Sequence, residues 1–183
     1  MSTILTPANQ LTLLRLLMVP VFVLCMLYDM PGWALLTFAF AGVTDLFDGL
    51  VARLSGQSTE LGAWLDPMAD KLLLLSMFVM LTSPTPGLAN RLPLWLTVLV
   101  ISRDVGIVLT VAIVNLAVGP RTFRPSIFGK IATAIFVMTG VVTLYFNYLG
   151  VTSPVVTAFV YAALVMTLIS GFDYVRRSTR TLP

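Results

Sequence analysis

Six apolar runs, each close to the length that crosses a bilayer, constrain this chain more than any other feature. They are Leu11–Leu27, Trp33–Ala52, Leu61–Leu81, Pro93–Val118, Ile127–Leu149 and Val155–Tyr174. A helix needs about 20 residues to cross the hydrocarbon core. Turn-forming residues separate the runs: Met30-Pro31-Gly32, Ser55-Gly56-Gln57-Ser58, Ser83-Pro84-Thr85-Pro86-Gly87, Gly119-Pro120 and Gly150 to Pro154. Only 10% of the residues are charged and 58% are hydrophobic. A soluble domain carries about 25% charged residues, so a water-facing surface cannot be built here. The expected fold class is an all-α integral membrane protein: six transmembrane helices around a polar cavity facing the cytoplasm, with a short interfacial helix from Thr6 to Arg15. There is no internal repeat and no linker, so residues 1–183 are expected to form a single membrane domain.

Six spans put both termini on one side, and basic residues choose that side. Arg53 and Lys71 flank the second connection. Arg121, Arg124 and Lys130 lie in or beside the fourth, and Arg176, Arg177 and Arg180 form the tail. Only Arg91 stands out on the opposite side. The basic side is expected to be cytoplasmic, together with both termini. The segment Met1–Asn9 has no basic stretch of the kind that opens a signal peptide. That feature and the compact size point to a bacterial plasma membrane.

The net charge of +3 is modest and gives no sign of a nucleic-acid partner. The single cysteine, Cys25, lies in an apolar run and cannot form an intrachain disulfide. There is no histidine, so acid–base chemistry falls mainly to carboxylates.

Charges inside apolar spans are expensive and mark functional sites. Asp45 and Asp48 end the second run, and Asp66 and Asp70 begin the third. The spacings i,i+3 and i,i+4 put each pair on one helix face. A short connection makes the two helices antiparallel neighbours, so both faces can point into one cavity. Four carboxylates there repel one another unless they are protonated or share cations. An all-oxygen donor set favours hard divalent ions such as Mg²⁺, Mn²⁺ or Ca²⁺. The plainer alternative is that the acids pair with Arg53 and Lys71 at the membrane interface. Gly49, Ala52 and Gly62 lie close to the acids and let a ligand or a neighbouring helix approach the backbone. Arg53 suits a diphosphate, and equally suits snorkelling to the interface. The residues by themselves lead to a metal-dependent membrane enzyme acting on a phosphate-bearing substrate.

Residues 45–70 read DLFDGLVARLSGQSTELGAWLDPMAD. They match D-x-x-D-G-x-x-A-R-x₈-G-x-x-x-D-x-x-x-D at every fixed position, and so the chain resembles the CDP-alcohol phosphatidyltransferases. The opening PANQLTLLR is similar to that family's N-terminal segment. ISRD at 101–104 and RPSIFGK at 124–130 resemble its phosphatidylglycerophosphate synthase and cardiolipin synthase branches. The resemblance implies that an alcohol attacks the β-phosphorus of CDP-diacylglycerol and CMP leaves. It implies two divalent cations, Mg or Mn, held by Asp45, Asp48, Asp66 and Asp70, with Asp70 also the general base. It implies that Gly49, Ala52 and Arg53 hold the CDP portion, that Gly62 keeps the cavity open, and that the enzyme is a homodimer in the lipid bilayer.

The acceptor is the open choice. Arg103, Lys130, Arg121 and Arg124 are candidates for binding a phosphorylated acceptor, glycerol 3-phosphate first. Phosphatidylglycerol, giving cardiolipin, is the alternative. Arg103 lies within the fourth run, where its neighbour Asp104 also offers a structural ion pair. Asn9 and Arg15 resemble family positions near the active site. Asn9 also suits a helix cap, whereas Arg15 in an apolar run is harder to explain structurally. A cation transporter built on intramembrane acids is the competing class, although transporters of that kind often carry inverted repeats.

Overall fold

The computed structural model describes residues 7–55, 60–84, 87–118 and 126–179; the side chains of 7–9, 46–55, 60–67, 111–115, 117–118 and 177–179 are outside that description. Among the described residues the fold is all-helical, with six helices: α1 Pro7–Leu27, α2 Pro31–Ser55, α3 Glu60–Thr82, α4 Leu94–Val118, α5 Ile127–Tyr148 and α6 Pro154–Thr179. Each expected apolar run is a helix. Three of them, over Gln10–Leu27, Ile127–Tyr148 and Pro154–Arg176, are long and apolar enough to cross a membrane. The other three, α2, α3 and α4, carry charges within their length, and α6 carries Asp173, Arg176 and Arg177 in its last two turns.

Local chemistry sets the helix ends. Proline opens α1, α2 and α6, where its missing N–H costs nothing and its fixed φ already suits the helix. The Ser126 hydroxyl caps α5 by accepting from Gly129 N at 3.1 Å, and Ser153 Oγ accepts from Val155 N at 3.2 Å at the start of α6. Gly150, at φ 67°, closes α5 with bonds from Gly150 N to Asn147 O and from Val151 N to Phe146 O. Asp29 closes α1 in the same way at φ 56°, with Asp29 N on Met26 O and Met30 N on Cys25 O. Both ends have the paired bonds of a Schellman motif, and aspartate is one of the few side chains that tolerate the left-handed position.

Three boundaries differ from the sequence expectation. The separate interfacial helix over Thr6–Arg15 is absent: α1 is continuous from Pro7 to Leu27. Nothing after Arg15 breaks it, and Pro20 is carried inside the helix at the loss of one backbone bond. Asn9 consequently lies inside the first turn of α1 and is not its cap. Helix α2 runs on to Ser55, which puts Asp45 and Asp48 well inside it and not at its end.

The chain forms two compact units, Met1–Arg91 with Thr143–Thr152, and Leu92–Val142 with Ser153–Pro183. In the first, α1 packs against both α2 and α3. The buried faces repeat at helical spacing: Phe22 and Met26 on α1; Ala34, Phe38 and Ala41 on α2; Ala69, Leu73, Met77 and Leu81 on α3. Phe22 and Phe38 meet in a tilted pair with centroids 6.0 Å apart, and the alanines on either side of Phe38 let the helices close. In the second unit α4 packs on α6, whose buried face is Val156, Val160, Ala163, Thr167 and Ser170. The opposite faces of the helices are apolar as well: Leu17, Leu24, Leu36, Phe40, Leu168 and Phe172 are all exposed. In water such a surface would aggregate; in lipid it is the surface required. The protein is a membrane protein.

Candidate active site

Within the first unit three helices bring one cation and two acids together. Arg15 on α1 donates from Nη1 to Asp70 Oδ1 on α3 at 2.6 Å. Its Nη2 lies 3.0 Å from Asp45 Oδ1 on α2. Arg15 is only 1% exposed, whereas each carboxylate side chain keeps 47% of its surface. Half-solvated ion pairs add little net stability. A guanidinium that stays charged under all ordinary conditions must nevertheless be paired when buried. The partner requirement of Arg15 therefore fixes where Asp45 and Asp70 point.

Asp45 and Asp70 do converge from neighbouring helices on one point, as their positions in the sequence suggest. Their described ion pairs run to Arg15, while the side chain of Arg53 lies outside the described residues. The signal was present, since Arg15 is the one charge between Gln10 and Leu27. What sequence could not supply was the reach of α1 across both α2 and α3.

The structure places the other motif residues by backbone alone. Asp48, Gly49, Ala52 and Arg53 lie on α2, and Gly62 and Asp66 on α3, with side chains outside the described residues. No group of three or more acidic, Cys or His side chains that would hold a metal occurs among the described residues, and two of the four motif acids are not among them. Asp45 and Asp70 do share one positive charge. An all-oxygen pair converging on a cation fits a divalent ion as well as it fits a guanidinium.

A second polar cluster lies in the other unit. Arg103 on α4 has a side chain only 9% exposed, with Nη1 on Asp104 Oδ1 at 2.7 Å. Its Nε donates to Ser170 Oγ on α6 at 3.1 Å. Gly129 in the first turn of α5 faces Nη2: a Cβ there would lie 3.2 Å from it. A glycine is thus what allows the guanidinium to lie against α5. Lys130 beside it is exposed. The ion pair with Asp104 is the one foreseen from sequence; Ser170 was missed, because a serine in an apolar helix carries no signal of its own. Arg121 and Arg124 lie outside the described residues.

The sequence profile of the family described as CDP-alcohol phosphatidyltransferase matches residues 5–169. The chain belongs to the CDP-alcohol phosphatidyltransferase family. It is 40% identical over 187 residues to a Mycobacterium tuberculosis (strain ATCC 25618 / H37Rv) protein named "Probable phosphatidylglycerophosphate synthase", an alignment covering 96% of this chain and 82% of that one. It is 39% identical over 118 residues to a Streptomyces coelicolor cardiolipin synthase (CMP-forming), covering 61% of this chain and 53% of the relative. The human cardiolipin synthase (CMP-forming) is 34% identical over 162 residues, covering 78% and 52%. As a CDP-alcohol phosphatidyltransferase, the protein is a membrane-embedded transferase of phospholipid biosynthesis, and it works on CDP-linked substrates in a lipid environment. The family uses divalent cations. Membership sets aside the cation-transporter alternative.

Proposed function

We propose that the protein transfers the phosphatidyl group of CDP-diacylglycerol to glycerol 3-phosphate, giving phosphatidylglycerophosphate and CMP. The observation that carries this reading is the 40% identity across 96% of the chain to the protein named a phosphatidylglycerophosphate synthase. The cardiolipin synthases align over smaller shares of this chain. They keep phosphatidylglycerol in view as the alternative acceptor.

In this reading Asp45, Asp48, Asp66 and Asp70 would hold two divalent cations, Mg or Mn. When bound, these cations polarise the diphosphate and offset the charge that develops on departing CMP. Asp70 accepts the proton of the acceptor hydroxyl as that oxygen bonds to the β-phosphorus and the bond to the CMP oxygen breaks. The half-exposed carboxylate of Asp70 can meet an acceptor arriving from water. Gly49, Ala52 and Arg53 bind the CDP portion, and Gly62 leaves room for it. Arg103 and Lys130, with Arg121 and Arg124, bind the acceptor's phosphate. Arg103 suits the task because Asp104 and Ser170 hold two of its nitrogens and orient the third.

The same reading places all six helices across the membrane around a cytoplasm-facing cavity, with both termini on the basic, cytoplasmic side of a bacterial plasma membrane. Exposed Tyr28, Trp33 and Tyr148 gather where the α1–α2 connection meets the end of α5, as an interfacial aromatic belt does. Residues 1–183 act as one domain, since α5 contributes to both compact units, and the working form is a homodimer.

The test is CMP release by purified protein given CDP-diacylglycerol and Mg²⁺, with glycerol 3-phosphate or phosphatidylglycerol supplied in parallel. Release with glycerol 3-phosphate alone is expected. Release with phosphatidylglycerol alone makes the protein a cardiolipin synthase, and silence with both in a folded sample overturns the choice of acceptors.

A further inference from the structure

The proposed metal ligands share their site with a charge that the family motif does not contain. Arg15 is 1% exposed and bonds one oxygen each of Asp45 and Asp70. It comes from α1, one turn after the fully buried Thr12, and is the one charge between Gln10 and Leu27. Its guanidinium brings a positive charge to the point where the two carboxylates meet.

Two opposing effects follow for a divalent ion. Arg15 holds the carboxylates of α2 and α3 at one point, which favours binding by ordering them in advance. It also places a positive charge within a few ångströms of any ion that shares Asp45 or Asp70, which disfavours binding. Aspartate side chains are short and lose little rotamer freedom when ordered. Repulsion between a single and a double positive charge at that range, in a partly desolvated site, is the larger effect. An anion arriving beside Arg15 and the ions attracts both and cancels the repulsion.

We propose that Arg15 makes cation loading depend on the nucleotide: it weakens divalent-ion binding in the empty enzyme, and the phosphates of the CDP-linked substrate restore it. The proposal rests on the reading of Asp45 and Asp70 as metal ligands. It gives α1 a role in ordering events, with metal and phosphate arriving together.

The test is Mn²⁺ binding to the purified full-length protein, followed by electron paramagnetic resonance, with and without saturating CMP. Wild type is expected to bind Mn²⁺ about tenfold more tightly with CMP, within the usual range of coupling between sites. Arg15→Met should bind Mn²⁺ about tenfold more tightly than wild type when CMP is absent, and its response to CMP should shrink by a similar factor. Arg15→Lys, which keeps the charge, should stay close to wild type. If Arg15→Met does not fold by circular dichroism, Arg15→Gln carries the same expectation. Neutral variants that bind Mn²⁺ no more tightly than wild type without CMP overturn the proposal and leave the metal reading standing. A wild type that binds no Mn²⁺ in either condition overturns the metal reading, and the proposal with it.

Discussion

The two ends of the first unit solve the problem of buried polarity in opposite ways. Toward the N-terminal half of α3, Arg15 meets Asp45 and Asp70, one buried cation against two half-exposed anions. Beyond the other end of α3, Asn90 and Asn147 clasp each other. The Asn90 backbone N and Nδ2 both donate to Asn147 Oδ1, at 2.7 and 3.3 Å, and Asn147 Nδ2 donates back to Asn90 O at 3.0 Å. Asn90 Nδ2 also donates to Val151 O at 2.7 Å. Asn90 is 8% exposed and Asn147 3%. Roughly 18 Å of α3 separates Asp70 from Thr82, at 1.5 Å per residue. The Asn90–Asn147 pair is neutral, buried and reciprocally bonded, so it stiffens the connections around it. Asp29 and Gly87 belong to the same end: a side chain on Gly87, at φ 85°, would run into the Asp29 carboxylate. The charged end leaves two carboxylates half-exposed around one buried guanidinium. In the function proposed above, one end holds still and the other binds.

This contrast can be broken by separating activity from stability. The largest effect is expected at Asp70. Asp70→Asn should lower CMP release by about 10²–10⁴-fold, the usual contribution of a general base, while CDP-lipid binding and the melting temperature change little. Near-wild-type turnover, or equal loss of turnover and lipid binding, would remove Asp70 from the role of base. Arg103 sharpens the comparison, being charged like the first end and nearly as enclosed as the second. Arg103→Ala should raise the KM for glycerol 3-phosphate about tenfold, worth about 1.4 kcal/mol of binding, with little change in the KM for CDP-diacylglycerol. An equal rise in both would make the Arg103–Asp104–Ser170 cluster a structural one. The smallest effect on catalysis belongs to the clasp. Asn147→Ala removes the bonds its side chain exchanges with the backbone N–H and carbonyl of Asn90, and should lower stability by about 1–3 kcal/mol with kcat/KM unchanged at temperatures where the protein stays folded. Thermal unfolding in detergent, run beside the activity assay, measures both quantities.

Much of the arrangement was legible because membranes impose strong rules. Apolar length gave all six helices, and the prolines at 31 and 154 mark the starts of α2 and α6. The spacing of Asp45 and Asp70 anticipated their convergence. Helix ends were less legible. The run of α2 through Arg53 to Ser55 has good helix formers after the apolar stretch stops, and an apolar count ends too early there. The short helix expected over Thr6–Arg15 is instead the start of one continuous α1, in which Arg15 is buried against Asp45 and Asp70 and marks no boundary.

The sequence by itself determined the class of molecule and the chemistry it carries. Too few charges for a water surface, six apolar lengths and eight fixed motif positions leave little freedom, since the cost of burying charge is paid wherever the chain folds. Only the tertiary structure decided which cation meets which acid. Arg15 and Asp70 are 55 positions apart, and Arg103 and Ser170 are 67 apart. No local spacing encodes such pairs. They exist because helices pack at particular rotations, and in the first unit those rotations follow from the fit of faces such as Phe22, Phe38 and Ala41, one to two turns along the helices from the charges they bring together.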